Sequence, residues 1–274
     1  MGALFGTLSA LFIGFSDLFG RRVVRASSAL TAAVAVQMVA IVASLVCVAG
    51  FGGTFERRDL VLGLVSGLGL GVGLGTYYGG IARSSSTVVS PLVAALSSLI
   101  PFVYAVIKGA SPTVYAVVGA VVAVGGIALI TVGGGSATHI RTGLAWGTIS
   151  GIAYGVGFVL VIDTSADAGS WPAVWQRVAA ATLLVVVAVR AGAPVLPPAG
   201  ARAWGVLGGV FTGLCTVAYL AGVRADPTAA VITSSMFPAA SVGIGRIVFH
   251  DSVSRLQAMG LVIALVGVIG VVAG

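Results

Sequence analysis

Apolar residues run through this chain in long blocks, and charges, prolines and polar clusters interrupt them at regular intervals. Cutting there leaves ten apolar segments, at residues 3–20, 28–50, 60–82, 86–107, 112–134, 141–162, 172–190, 202–223, 228–249 and 255–273. A helix needs about 20 apolar residues to cross a hydrocarbon core ~30 Å thick, and the segments approach that length. Strands of a membrane barrel would be half as long and would alternate polar with apolar positions. The pattern predicts an all-α integral membrane protein of ten transmembrane helices, with connections too short to hold a soluble domain.

In the third segment, VLGLVSGLGLGVGLGTYYGG (61–80) places glycine at nearly every second position. Glycine offers a strand no side chain to pack, and no G-x-G-x-x-G phosphate loop can be drawn through the run. A spacing of four fits instead: Gly63, Gly67, Gly71, Gly75 and Gly79, with Gly69 and Gly73 on a second row. Ridges of small residues let helix backbones approach closely in lipid, where packing holds helices together. Each four-residue step overshoots a turn by ~40°, so the row winds around the helix and can meet more than one neighbour.

Composition agrees with a bilayer. The chain is 58% hydrophobic and 8% charged, against about 25% charged in an ordinary soluble domain. A net charge of +7 would suggest nucleic acid in a soluble protein, but the arginines sit mainly at segment ends, where they meet lipid headgroups. No nucleic-acid partner is expected. The first segment lacks a positive start and an A-x-A-like site, and is read as a helix and not a leader. Cys47 and Cys215 lie inside apolar segments, far from any metal-ligand spacing, and read as small core residues. His139 and His250 fall in predicted loops, and no nucleophile–base pair or H-E-x-x-H is visible, so no cofactor, metal or enzymatic role is expected.

The chain also repeats itself. GTLSALFIGF from residue 6 resembles GTISGIAYGV from residue 147, with Gly6, Thr7, Ser9 and Gly14 recurring 141 residues later. The same offset carries Tyr78, Arg83 and Thr87 onto Tyr219, Arg224 and Thr228, and Gly119 and Gly126 onto Gly260 and Gly267. This predicts two five-helix repeats, 1–138 and 139–274. Because five is odd, the second repeat enters the membrane from the opposite side. The halves are then related by a two-fold axis in the membrane plane, the arrangement of many secondary transporters, with a substrate site near the midplane.

RSSSTVVSPLVAALSSLIP resembles the fourth helix of EamA-type members of the drug/metabolite transporter superfamily, where a polar link precedes a V-V-x-P-L run and a second proline. AGVRADPTAAVITSSMFP is similar to its counterpart in the second repeat, and GFSDLFGRR to the G-x-S-D-F motif in the first helix of some members. The resemblance covers the whole chain. It implies a multi-pass carrier, in the plasma membrane of a bacterium, for a small metabolite or drug-like solute. The family usually carries a glutamate just after helices four and nine; here IKGASPT has no acid and FHDSVS offers Asp251.

Ionisable groups within spans are functional candidates, because burying them in lipid is costly. Asp17, beside Ser16, is the acid deepest in a segment. It either pairs with Arg21, four residues on, to end the first helix, or serves as a proton or cation site. Arg177 either snorkels to the interface or faces the bundle, where it could pair with a substrate carboxylate or phosphate. Gln37 and Gln176 occupy similar places in segments two and seven, and Gln176 either lines a cavity or hydrogen-bonds across helices. Ser97 and Ser98 precede Pro101, and Thr233, Ser234 and Ser235 precede Pro238. Proline frees a backbone carbonyl, and such groups either line a wet cavity or leave a kink with serines bonded to their own helix. Tyr78, Tyr154 and Tyr219 could line the same cavity or anchor at the interface. Trp146, Trp171, Trp175 and Trp204 read as interface anchors.

The reading is a carrier for a small solute, with a coupling proton or cation as a second passenger; the alternative is a channel or a non-transporting membrane partner. Odd-numbered connections hold Arg21, Arg22, Arg25, Arg83, Arg141, Arg190, Arg202 and Arg255, with Arg246 near the last; even-numbered ones hold only Arg57, Arg58, Lys108 and Arg224, with Arg177 deeper in segment seven. Basic short loops stay cytoplasmic, so charge puts both termini outside the cytoplasm, whereas the family resemblance puts them inside. With charge dominant, reporters fused to either end should be active only outside. Cytoplasmic signals from both ends would reverse the orientation.

Overall fold

The computed structural model describes residues 1–84, 86–109, 111–132, 140–234, 236–237, 239–240, 243–244, 247 and 254–273. Among them the helices are α1 (Gly2–Ala26), α2 (Ala29–Phe51), α3 (Arg57–Arg83), α4 (Ser86–Ile107), α5 (Val114–Val132), α6 (Ile140–Ile162), α7 (Trp171–Arg190), α8 (Arg202–Ala225), α9 (Pro227–Ser234) and α10 (Arg255–Ala273). The described residues contain no strand. Seven helices, α1 to α4 and α6 to α8, are long and apolar enough to cross a membrane. Of the expected ninth span, only Pro227–Ser234 is described as one helix, and Ser235, Pro238, Arg246, His250 and Asp251 lie outside the described residues, as does His139.

The first helix exceeds its predicted end at residue 20, running to Ala26 through RRVVRA. Its arginines do not break it: Arg21 and Arg22 are part-buried along the bundle and Arg25 is exposed at the helix end. The Arg22 guanidinium lies 4.1 Å from the centre of the Trp204 ring, a cation–π contact at what would be headgroup depth. Ser28 then caps α2, its hydroxyl accepting from the Thr31 amide at 3.1 Å.

The outer surface is apolar and the polar groups turn inward. Val42, Val46, Val61, Val65, Val121, Val262 and Ile269 are exposed, while Ser9, Ser16, Asp17, Gln37, Ser66, Gln176, Arg177 and Thr216 are buried. A water-soluble bundle would show the reverse. This distribution suits a surface solvated by lipid.

Small residues set which helices touch. Gly63, Gly67, Gly71 and Gly75 of α3 meet Pro172, Gln176, Ala180 and Leu184 of α7 in turn, so the two helices run parallel. Gly69 and Gly73 turn toward Ala153, Tyr154 and Gly157 of α6, and Gly79 lies against Trp146. In the other half, Gly205, Gly209 and Gly213 of α8 step along Ala35, Val39 and Ala43 of α2, also in parallel. Likewise Gly2 and Gly6 of α1 follow Asp226 and Ala230, as Gly143, Gly147 and Gly151 of α6 follow Ser84, Val89 and Leu96.

The α5–α10 contact is reciprocal. Gly126 packs on Gly260 and Ala264, and Gly267 packs on Gly119 and Ala123. The contacts move down one helix as they move up the other, so this pair is antiparallel.

A side chain on the α3 row should therefore separate α3 from α7. A β-carbon at Gly67 would lie 2.7 Å from that of Ala179 and against the Gln176 carbonyl, whereas one at Gly75 would meet only a flexible Leu184 methyl at 3.2 Å. Gly67→Leu is expected to cost about 3 kcal/mol or more, read as a lowered thermal midpoint in detergent, while Gly75→Ala stays near wild type. Equal midpoints would show that the row carries no packing load.

Candidate functional site

The inward polar groups converge on a cavity of about 70 Å³ walled by α1, α2, α3, α4, α6, α7, α8 and α9. One water needs roughly 10–15 Å³ by this measure, so the space is sized for a few waters or a small solute group. Ser16, Asp17, Gln37, Tyr78, Ser97, Ser98, Tyr154, Arg177, Tyr219 and Ser234 all border it.

Asp17 lies well inside α1 and is 5% exposed. It does not end the helix, which runs on to Ala26; Arg21 on the same helix feels its charge, and the Tyr77 hydroxyl donates to Asp17 Oδ2 at 3.0 Å and lies 3.0 Å from Ser90 Oγ. Arg177 does not snorkel. It is 4% exposed, because its guanidinium turns into the bundle, where Nη1 donates to Gln37 Oε1 at 3.1 Å and Nη2 to the Thr212 carbonyl at 3.1 Å and the Thr216 hydroxyl. On the same wall Ser16 Oγ lies 2.5 Å from Thr212 Oγ1, and Ser9 Oγ lies 3.2 Å from Cys215 Sγ. The hydroxyls of Tyr78 and Tyr219, which the 141-residue offset relates, are both buried without a hydrogen-bond partner among the described residues, as is Arg177 Nε.

Other expected residues sit elsewhere. Gln176 is buried in the α3–α7 contact, donating to Ser66 Oγ at 2.6 Å, and does not line the cavity. Thr233 turns back to the Ala229 carbonyl at 2.7 Å, and Pro101 is buried in α4 without reaching the cavity wall. Ser98 and Ser234 combine both readings: each borders the cavity while bonding back to its own helix, at 2.5 Å to Ala94 O and 2.9 Å to Val231 O. The glycine row lies outside the cavity. Ser9, Tyr77, Phe158, Thr212, Cys215 and Thr216 are wall residues that sequence reasoning passed over. The i, i+4 spacing of Thr212 and Thr216, and the adjacency of Tyr77 to Tyr78, were the available signals.

The two ends of the bundle differ. At one, Gly53 and Gly169 pack backbone to backbone with φ of 138° and 55°, conformations that a side chain would strain. There Thr54 N donates to Asp167 O at 2.7 Å, Ser165 N and Oγ donate to Asp59 at 3.0 and 2.8 Å, and Arg224 donates to the Ser165 and Gly169 carbonyls at 3.2 and 2.7 Å. Nearby, Lys108 Nζ lies 3.6 Å from Asp163 Oδ1, and the Tyr104 hydroxyl donates to Asp163 Oδ2. Tyr104, and then the Asp163 charge, hold the Lys108 ammonium above its ordinary value. That contact is thus present at neutral pH and is lost as pH rises through the raised value. The other end holds a cleft of about 810 Å³ lined by Ser27, Ser28, Thr76, Arg83, Trp146 and Ala193, among others.

An all-helical chain with an apolar exterior and a buried polar cavity defines a multi-pass integral membrane protein. Residues 1–132 and 141–273 each match the EamA-like transporter family, and the chain belongs to that family of membrane transporters, which are not enzymes. A comparison with curated proteins finds no match. One solved crystal structure, described only as that of a protein, superposes with a TM-score of 0.79 over 99% of this chain and 97% of the other at 16% identity, which shows a shared fold.

The neighbouring tyrosines should separate in experiment. Tyr77→Phe removes a hydroxyl shared by Asp17 and Ser90 and should cost about 1–3 kcal/mol. Tyr78→Phe removes one without a hydrogen-bond partner among the described residues and should cost little. Thermal unfolding in detergent ranks them; the opposite order would remove Tyr77 as the group that holds Asp17.

Proposed function

We propose that the protein is a secondary carrier for a small solute, working by alternating access between inverted repeats at 1–138 and 139–274. The reciprocal α5–α10 contact carries this reading. Gly119, Ala123 and Gly126 become Gly260, Ala264 and Gly267 under the 141-residue offset. A two-fold that exchanges antiparallel partners has its axis across the helices, hence in the membrane plane. The parallel α3–α7 and α8–α2 contacts exchange under the same operation, which further supports it.

The unlike ends favour rocking about that axis. Loops interlock through Gly53, Asp59, Ser165 and Gly169 at one end, while a cleft opens at the other. Movement of one half against the other would break the first set and close the second, presenting the central cavity to each side in turn. Binding energy realised unequally in the two states is what would drive the exchange.

Asp17 is the carboxylate placed to couple such movement to protons or a cation. It faces the cavity, with Arg21 on its own helix, Tyr77 and Tyr78 from α3, and Ser90 of α4 beyond Tyr77. Protonation would remove its charge from the low-dielectric wall and change its bond with Tyr77.

In proteoliposomes the protein should give saturable, gradient-dependent solute flux, and Asp17→Asn should flatten the pH dependence at unchanged protein level. Flux that rises linearly with concentration would indicate a channel. A variant with wild-type pH dependence would return Asp17 to a structural role.

A further inference from the structure

We propose, building on the carrier reading, that Arg177 is the anion-binding group of the cavity and that the solute is a small organic oxyanion with an apolar body. A guanidinium has five N–H donors in a rigid fork. Among the described residues the partners are a side-chain amide oxygen, a backbone carbonyl and a hydroxyl, all neutral, and Nε has none. Among the described residues no carboxylate forms an ion pair with it. A cation held so deep by neutral groups alone is costly. A carboxylate or phosphate reaching Nε and a terminal nitrogen together would make the bidentate pair for which the fork is shaped.

Helix packing does not require the charge. Under the 141-residue offset Arg177 corresponds to Val36, which is fully buried in the matching α2–α8 contact. The same helix pairing therefore forms once with a valine and once with an arginine. The difference lies in the cavity.

The rest of the wall fits the body of such a solute. Tyr154 and Phe158 stack with ring centres 6.0 Å apart, and Phe158 lies 5.0 Å from Tyr219. Leu70, Leu74 and Val93 complete an apolar surface, and the unbonded hydroxyls of Tyr78 and Tyr219 can donate to an oxygen. Asp17 shares the cavity but bonds Tyr77, and its charge disfavours an anion at its own position, leaving Arg177 as the place for one.

The test uses purified full-length protein and three solutes of one shape: phenylacetate, phenylacetamide and phenethylamine, with phenyl phosphate as a second anion. Thermal stabilisation reads binding without needing flux. Phenylacetate or phenyl phosphate should raise the midpoint more than the amide, and the amine should do least. Arg177→Gln should weaken the anion response about tenfold or more, and Arg177→Lys should restore part of it. If Arg177→Gln fails to fold, the wild-type ranking and Arg177→Lys still decide. Preference for the amine or amide, an unchanged anion response in Arg177→Gln, or no response to either anion overturns the proposal. Anion binding with no solute flux in liposomes would instead remove the carrier reading and leave Arg177 as an anion site.

Discussion

Hydrocarbon offers no hydrogen bonds, and most of this structure follows from that lack. Backbone groups must be satisfied within each helix, which makes the chain helical. Apolar side chains gain nothing by leaving lipid for a protein interior, so helix association rests on close backbone approach. The glycines of α3 and α8 supply it, letting α7 and α2 come near enough that a single added carbon would collide. Polar side chains have nowhere to go but inward. The cavity is the place where these demands meet.

The membrane fold was largely legible from the chain. Segment lengths located nine of the helices at both ends and the start of α9 to within a few residues, except where α1 continued through its arginines, because an arginine stem can lie along a helix while its head finds an aromatic ring. The glycine spacing pointed to a helix with several close neighbours, and α3 has them in α6 and α7. Azimuth was harder to read. Depth follows from counting residues, but a helix that is apolar all round carries little periodicity to mark its inner face. Arg177 and Tyr77 could therefore be placed along their helices and not around them. Gln176 and Arg177 are adjacent, yet one is spent on the α3 contact and the other reaches the cavity.

Polar contacts serve different purposes in different parts of the molecule. Ser66 accepts from Gln176 and donates to the Gly157 carbonyl, each at 2.6 Å, tying α3 to its two neighbours. The loop bonds around Ser165 close one end on Asp59, whose side chain is itself buried. Around Arg177 and the two unbonded tyrosines the polar surface is incompletely satisfied. Gln176 Oε1 and Trp175 Nε1 in the α3–α7 seam also lack a partner among the described residues; the gaps at Arg177, Tyr78 and Tyr219 differ in bordering the cavity.

Where the two halves of the chain differ carries its own consequence. Asp17 stands opposite Phe158 under the 141-residue offset, and Arg177 opposite Val36. Two halves of identical sequence, exchanging roles about a two-fold, would have two rotation-related conformations of equal energy and no resting preference. One carboxylate and one guanidinium, each without a counterpart, lift that degeneracy. A resting preference would then be written into the molecule by its departures from symmetry, while the gradients alone would set the direction of net transport.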